Sequence, residues 1–197
     1  MRKLAMEELN RKSVDEFRSS QKIPIIVVLD NVRSMHNVGS VFRTADAFLL
    51  EGLYLCGYTP KPPHRDIQKT ALGATETVSW KYFESTLRAV EELKNAGYEI
   101  WAIEQAVGSL DLSGVTMGKA QETGNNGQAY LTNIGAKIAL VFGNEVSGVD
   151  QAVMNSCSGS IEIPQAGMKH SLNISVAAGI VLWHFFHQYT KLDQSSR

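Results

Sequence analysis

The sequence has few cysteines and no long apolar run, and each absence excludes a class of protein. Its 197 residues include two cysteines, Cys56 and Cys157, which match neither a CxxC pair nor a zinc-ligand spacing. A disulfide framework and a cysteine zinc site are therefore excluded. The longest apolar stretch, residues 176–186, is too short for a membrane span, which needs roughly 20 residues.

Charge of one sign is also missing, because 19 lysines and arginines stand against 20 aspartates and glutamates, for a formal net charge of −1. This balance argues against a protein coated in nucleic acid but allows a local basic patch. The first residues lack the apolar run of a signal peptide, so a cytoplasmic location is expected. His184 and His187 stand three residues apart among aromatic neighbours, which indicates packing, and no metal is predicted.

Short apolar, β-branched runs alternate with helical patterns along the chain. This alternation predicts an α/β fold with a mostly parallel sheet and helices on both faces. We expect a helical extension over residues 1–22, one domain over 23–190 and a tail over 191–197. The segment 108–135 is polar and rich in glycine, and it is predicted to be a mobile loop.

The spacing of apolar residues predicts the individual elements. A helix with 3.6-residue spacing is predicted to begin at Asn37 and to end at Gly52. The proline-containing stretch 58–69 is predicted to be a loop. Strands are predicted over 23–29, 53–56, 77–80, 98–103, 137–142 and 160–163, and further helices over 84–95, 150–154 and 172–188.

Polar residues and glycines follow the predicted strands, where ligands of open α/β sheets gather. No GxGxxG follows a strand, and residues 114–120 depart from the P-loop in length and in their last residue. NAD and ATP sites are therefore excluded. A hydrolase triad of Ser147, His170 and Asp150 is excluded as well, because no GxSxG surrounds the serine.

Three segments carry unusual combinations of polar residues and glycine: NVGSVFRTA (37–45), FGNEVSG (142–148) and IEIPQAGMKHSLNIS (161–175). In the first, His36, Gly39 and Arg43 share one face near a helix N-terminus, where the helix dipole favours a phosphate. Taken alone, each segment is also explained by ordinary helix capping or by a turn between a strand and a helix.

Taken in order, the three segments resemble the SpoU/TrmH family of RNA ribose 2′-O-methyltransferases, in the SPOUT superfamily. The shared motifs are NxGxxxR, FGxE and IxIPxxG…SLNxSxA, and the resemblance covers the chain from Ile25 to Phe186. It implies a single-domain α/β knot, in which the C-terminal part threads through a loop as a trefoil knot. It also implies a homodimer, to whose interface the last helix is expected to contribute.

The resemblance further implies that S-adenosylmethionine binds in the knot, largely through backbone groups. A side chain at Gly143 would block close approach of this ligand. By position, the cofactor pocket would be lined by Ile103, Glu104, Gly143, Ile163, Ser171 and Leu172.

The reaction implied is methyl transfer to a ribose 2′-hydroxyl, which must lose its proton as it attacks. The resemblance implies that Arg43 has the central role. Because arginine stays protonated, we expect it to fix a phosphate and stabilise the developing alkoxide rather than act as the base. Asn37 is expected to hold Arg43 or the substrate, and Glu145 to orient Arg43 by a charge-assisted hydrogen bond. Ser171 and Asn173 complete the catalytic set, and no metal is needed because the leaving group is a sulfonium.

Residues 1–22 precede the first predicted strand, as in compact family members that act on tRNA, so tRNA is the substrate expected first. The alternatives are rRNA as the substrate, or an RNA-binding protein of the same fold without methylation activity. A solvated charged surface would explain the basic residues equally well. The residues expected to contact RNA are Arg11, Lys12, Arg18, Lys22, Lys61, His64, Arg65 and Lys69.

Overall fold

A computed structural model describes residues 1–9, 12–115, 137–168 and 171–195. The helices are α1 (Val14–Ser19), α2 (Met35–Ala47), α3 (Arg65–Ala71), α4 (Ala74–Thr77), α5 (Thr86–Asn95), α6 (Gln151–Met154) and α7 (Ile174–Ser195). The strands are β1 (Ile23–Asp30), β2 (Leu50–Cys56), β3 (Trp80–Phe83), β4 (Glu99–Ile103), β5 (Leu110–Asp111), β6 (Ile138–Phe142) and β7 (Gly159–Glu162).

The strands form one seven-stranded sheet in the order β3-β2-β1-β6-β4-β7-β5, and all of these pairings are parallel. The central strands β1 and β6 are buried along nearly their whole length. A parallel sheet covered on both faces requires such continuous apolar strands, which the sequence supplies. The predicted α/β class, with a parallel sheet between helices, is confirmed.

Helices cover the two faces of the sheet with separate apolar clusters. On one face, Phe42 of α2 and Phe185 of α7 pack in the cluster that contains Leu140. On the other face, Val90 of α5 packs in the cluster that contains Val141. Both faces are thus filled, and the carboxyl edge of the sheet remains available for a binding site.

Gly39 allows α2 to approach α3 closely. A Cβ at this position would lie 2.1 Å from the Thr70 Oγ1 and 2.3 Å from the Ile67 carbonyl oxygen. The Thr70 hydroxyl also donates a hydrogen bond of 3.0 Å to the His36 carbonyl oxygen. This side of α2 packs against a helix, so Gly39 serves helix packing and not the expected approach of a phosphate.

Several predicted boundaries are wrong. The helix α2 begins at Met35 because Ser34 is its N-cap, and Gly52 lies inside β2 instead of ending the helix. The predicted strand 77–80 begins at the end of α4, and the predicted loop 58–69 contains the start of α3. These two helices have four and seven residues, too few for a clear apolar period.

The segment predicted to be a mobile loop has regular structure at its start. Leu110 and Asp111 pair with β7 as strand β5, a 3-10 turn follows over Leu112–Gly114, and Val115 is buried. Residues 110–114 thus have regular structure where a loop was predicted, the predicted mobility stays a prediction, and residues 116–135 of the segment lie outside the described residues. The N-terminal segment contains a 3-10 turn over Met6–Leu9 and the short helix α1.

The knot stays a prediction, because residues 116–136 and 169–170 lie outside the described part of the chain. In the parts that are described, no helix is long and apolar enough to cross a membrane.

Candidate active site

A pocket of about 470 Å³ opens at the carboxyl edge of the sheet, where β4, β6 and β7 end. Its size suits a small-molecule ligand, and its place is the one at which α/β sheets bind ligands. The structure brings together in its lining all six residues predicted to bind the cofactor: Ile103, Glu104, Gly143, Ile163, Ser171 and Leu172.

A tight turn over residues 143–149 forms one wall of the pocket. Asn144 and Gly148 exchange two backbone hydrogen bonds of 2.9 Å. The Asn144 Oδ1 accepts hydrogen bonds from the backbone N–H of Val146, at 2.9 Å, and of Ser147, at 3.2 Å. The segment FGNEVSG is therefore a turn that its own residues hold in shape before any ligand binds.

Glu104 fastens this turn to the end of β4. Its carboxylate accepts hydrogen bonds of 3.0 Å from the backbone N–H of Val149 and of Gln105. Gly148 has a φ of +69°, and a Cβ there would lie 2.2 Å from the Glu104 carboxylate. A Cβ at Gly143 would lie 2.1 Å from the Val149 nitrogen. Gly143 is therefore required by the turn itself, a reason different from the ligand approach expected from the sequence.

Three of the predicted catalytic residues are joined by hydrogen bonds. The Asn37 Nδ2 donates to the Glu145 Oε1 at 3.1 Å, and the Asn173 Nδ2 donates to the Asn37 Oδ1 at 3.2 Å. Asn37 is buried in α2, whereas its partners lie in the 143–149 turn and just before α7. The network thus joins segments that are 108 and 136 positions apart in the sequence.

Glu145 also holds the N-terminus of α2. Its two oxygens accept hydrogen bonds from the backbone N–H of Arg33, at 2.9 Å, and of Ser34, at 3.0 Å. Burial raises the pKa of the Glu145 carboxyl, but these hydrogen bonds outweigh burial, and the pKa lies below its usual value. Glu145 therefore carries a negative charge at neutral pH.

Arg43 does not join this network. Its side chain is exposed, and it makes neither a hydrogen bond nor an ion pair with the residues that the structure describes. The expected hydrogen bond from Arg43 to Glu145 is not formed, because Glu145 accepts from Arg33, Ser34 and Asn37 instead. The guanidinium of Arg43 is free to contact a ligand.

The predicted RNA-binding residues of the N-terminal segment are partly used by the fold. Arg18 donates to the Glu76 carbonyl oxygen at 2.7 Å, and Lys22 donates to a carbonyl at the end of α1 at 3.0 Å. Lys12 is exposed, and Arg11 lies outside the described residues.

The predicted RNA-binding residues of the loop before α3 show a similar division. Lys61 lies over a tyrosine ring, 3.8 Å from its centroid, and the His64 Nδ1 caps α3 by accepting from the Asp66 N–H. Lys69 forms an ion pair of 2.6 Å with Asp66. Arg65 is exposed and has no partner in the described ranges. Neither the basic residues of the N-terminal segment nor those of the loop before α3 belong to the described lining of the pocket.

Two asparagines that hold the site together were missed by sequence reasoning. The Asn144 Nδ2 donates to the Asn31 carbonyl oxygen at 2.7 Å and thereby ties the turn to the end of β1. Asn31 has a φ of +56°, a conformation that asparagine tolerates better than most residues. An asparagine within two residues of the end of a strand is the signal that could have indicated both.

Comparison with known proteins identifies the family. Residues 24–183 match the model of the SpoU rRNA Methylase family. The chain belongs to this family. The 23S rRNA (guanosine-2′-O-)-methyltransferase RlmB of Haemophilus influenzae is 31% identical over 93% of the chain and 68% of that protein. RlmB of Vibrio parahaemolyticus is 31% identical over 92% of the chain and 66% of that protein. The chain thus spans about two thirds of the length of these SpoU relatives.

Solved SpoU structures share the fold. The A. aeolicus TrmH/SpoU tRNA modifying enzyme has a TM-score of 0.73 and 27% identity, over 92% of this chain and 82% of that one. An AdoMet-bound rRNA methyltransferase from Sinorhizobium meliloti has a TM-score of 0.68 and 27% identity, over 85% of this chain and 58% of that one. Membership of a SpoU methylase family confirms S-adenosylmethionine as the predicted cofactor.

The residues of the pocket fit this cofactor. Ile103 and Leu172 give the lining apolar surface that would suit its adenosine, and the 143–149 turn would supply backbone polar groups. Three carboxylates, those of Glu104, Glu145 and Glu162, line the pocket, and the described lining contains no lysine or arginine. This charge favours a ligand with a positively charged sulfonium.

Proposed function

We propose that this chain transfers a methyl group from S-adenosylmethionine to a ribose 2′-hydroxyl of RNA. The observation that carries the proposal is the hydrogen-bonded set Glu145, Asn37 and Asn173 beside a pocket lined with carboxylates. Family membership supplies the reaction class, and the geometry of the chain supports the roles of individual residues.

S-adenosylmethionine supplies an electrophilic methyl group when it is bound. The chain contributes a preformed pocket, whose 143–149 turn is fixed by Glu104 and by its own hydrogen bonds. Ser171 and Leu172 of the lining would contact the ligand from the segment before α7. A site that needs no rearrangement holds the reacting atoms in line at low entropic cost.

Arg43 is proposed to act on the RNA. Its exposed guanidinium lies on α2, the helix that also carries Asn37, and it has no partner in the described ranges. Because arginine stays protonated, it would bind a phosphate next to the target ribose and stabilise negative charge on the 2′-oxygen. Ser171 would offer its hydroxyl to the same nucleotide.

Glu145 is proposed to be a positioning residue. Hydrogen bonds from two backbone N–H groups and from Asn37 occupy its carboxylate and lower its pKa, which makes it a weak base. It would therefore hold α2 and Asn37 in place while Asn37 and Asn173 order the substrate side of the pocket.

The proposed substrate is rRNA in the first place. The RlmB relatives are named for 23S rRNA, which favours rRNA over the tRNA expected from the sequence. Transfer RNA remains the second candidate, because the structural match to the A. aeolicus TrmH/SpoU tRNA modifying enzyme covers 92% of the chain.

A homodimer that uses α7 is proposed as the assembly. Val176, Ile180 and Trp183 form an apolar stripe at helical spacing, and they are exposed in the single chain. A second copy would cover this stripe, since the same face of both helices can meet about a twofold axis.

The test is transfer of label from methyl-labelled S-adenosylmethionine to unmodified rRNA and, separately, to unmodified tRNA. Wild type is compared with Arg43→Ala and with the control Arg2→Ala, whose guanidinium pairs with Glu8. We expect label in rRNA that is lost in Arg43→Ala and kept in Arg2→Ala. Failure of the wild type to bind S-adenosylmethionine in calorimetry would contradict the proposal. Binding of cofactor and RNA without transfer would favour the inactive RNA-binding alternative.

A further inference from the structure

A second pocket, of about 440 Å³, lies on the same edge of the sheet, where β1, β2 and β3 end. We propose that this pocket binds a nucleobase of the RNA, stacked on Tyr58, while a neighbouring nucleotide occupies the methyl-transfer site. The inference rests on the proposed function, and it names an RNA subsite in a region where neither motif nor family match assigns one.

Two tyrosines, Tyr58 and Tyr82, border the second pocket. Tyr58 is 86% exposed, and its side chain forms neither a hydrogen bond nor an aromatic contact with the described residues, although its backbone N–H donates to the Asn31 Oδ1 at 3.0 Å. The Tyr82 hydroxyl donates to the Gly57 carbonyl oxygen at 3.1 Å, and Lys61 lies 3.8 Å from the centre of the Tyr82 ring. A large exposed ring on a fixed backbone suits stacking with a flat ligand.

The negative charges that line the second pocket favour binding of a nucleobase over binding of a phosphate group. Asp30 is 1% exposed, and its carboxylate is occupied by the Thr86 hydroxyl at 2.5 Å and by the Asp150 N–H at 3.0 Å. Asp150 caps α6, so its side chain is also occupied. Glu84 has no partner in the described ranges and can accept hydrogen bonds from a ligand. The described lining has no cation, and its carboxylates would repel a phosphate.

Guanine is the base that matches Glu84 best. Its imino N–H and its 2-amino group are adjacent donors, which one carboxylate accepts together. The other common bases lack this pair of donors on one edge. We therefore infer that the second pocket prefers guanine.

The second pocket is close to the first. Strands in a sheet lie about 4.8 Å apart, so β2 is ~10 Å from β6 and ~15 Å from β4. Asn31 stands between the pockets, because its carbonyl oxygen accepts from Asn144 of the 143–149 turn. A short segment of single-stranded RNA can span such a distance. Proteins recognise single-stranded RNA by placing unstacked bases on aromatic rings with cations nearby. Lys61, which lies over the Tyr82 ring, is such a cation.

The test compares Tyr58→Ala with the matched variant Tyr58→Phe, which keeps the ring. The substrate RNA that wild type methylates is titrated by fluorescence anisotropy, and S-adenosylmethionine by calorimetry. We expect Tyr58→Ala to weaken RNA binding by roughly 5- to 150-fold, as for loss of one stacked base. Tyr58→Phe should bind like wild type, and neither change should alter cofactor affinity or melting temperature, because the ring is exposed.

Base preference is tested with two single-stranded RNA hexamers. One contains guanine and uracil, and in the other inosine replaces each guanine. Inosine lacks the 2-amino group, so wild type should bind it more weakly, and Glu84→Gln should lose this difference. Equal RNA affinity of wild type and Tyr58→Ala would overturn the inference, even if methyl transfer is intact. Wild type that binds no S-adenosylmethionine would overturn the proposed function instead, so the two failures are distinguishable.

Discussion

Asn37 joins the two halves of the candidate active site because both atoms of its side-chain amide are used. The amide nitrogen donates to Glu145 and the amide oxygen accepts from Asn173. An amide supplies a donor and an acceptor on one short side chain, whereas a carboxylate supplies acceptors only. An aspartate in its place would put two carboxylates together and lose the donor.

Replacing Asn37 by alanine should therefore break both contacts. We expect a loss of stability of about 1–3 kcal/mol in urea unfolding, because both hydrogen bonds of the buried Asn37 amide are lost, each worth roughly 0.5–1.5 kcal/mol. Methyl transfer should fall by roughly 10- to 100-fold, as each 1.4 kcal/mol is tenfold in rate. Asn37→Asp is expected to be at least as damaging, and full activity of Asn37→Ala would contradict a role for this network.

Gly143 provides a second prediction at the scale of one residue. A Cβ there would lie 2.1 Å from the backbone of Gly148 and Val149, and a backbone cannot move aside as a side chain can. Gly143→Ala should cost about 1–3 kcal/mol of stability and weaken S-adenosylmethionine binding in calorimetry. Gly114→Ala is the control, since a Cβ there meets no atom of the described residues within 4 Å. Equal stability of the two variants would argue against this turn as part of the pocket.

At the scale of elements, the N-terminus of α2 depends on a residue far along the chain. Ser34 caps the helix locally by accepting from the Asn37 N–H at 3.3 Å. Glu145 accepts from the N–H groups of Arg33 and Ser34, which otherwise would lack a partner. The position of α2, and of Arg43 on it, is thus linked to the wall of the cofactor pocket.

The lowered pKa of Glu145 makes part of the stability depend on pH. A carboxyl with a folded pKa below its unfolded value of about 4.5 stabilises the fold above that pH, and the contribution disappears as the pH falls through the lower value. Wild type should melt at a higher temperature than Glu145→Gln at neutral pH. The difference should shrink below pH 4.5. A constant difference in melting temperature would show that ionisation of Glu145 is irrelevant.

Sequence patterns predicted those elements whose own residues determine them. The strands β1 and β6 are continuous apolar runs, and their predicted limits agree with the structure within one residue. The helices α3 and α4 were missed because they are short and are held by packing against α2. Such contacts are not visible in the local sequence.

The candidate site, like the elements, was predictable only where the local sequence determines it. The motifs FGNEVSG and IEIPQAGMKHSLNIS located much of the lining of the first pocket, since each includes the end of a strand, whereas the motif in α2 is not part of the described lining. The partners of Glu145 were not predictable, because Arg33, Ser34 and Asn37 are brought to it only by folding. The second pocket was missed for the same reason, as Tyr58 and Glu84 follow different strands.

At the scale of the whole molecule, the proposed dimer predicts the effect of one surface change. Trp183 is 53% exposed and contacts Phe48 and Phe186, and a charge there would oppose burial against a second copy. Trp183→Glu should shift the chain from dimer to monomer in size-exclusion chromatography with light scattering. Val14→Glu, at an exposed position of α1, should leave the dimer intact. Wild type that runs as a monomer would refute the assembly.

The two outer strands of the sheet limit how copies of this chain can meet. Strand β3 has four residues and β5 has two, so each described edge offers few unpaired backbone groups to another molecule. Long, flat edges are where sheets of separate molecules join and where fibrils grow. With its long strands kept inside the sheet, the described part of the chain offers little edge for such growth.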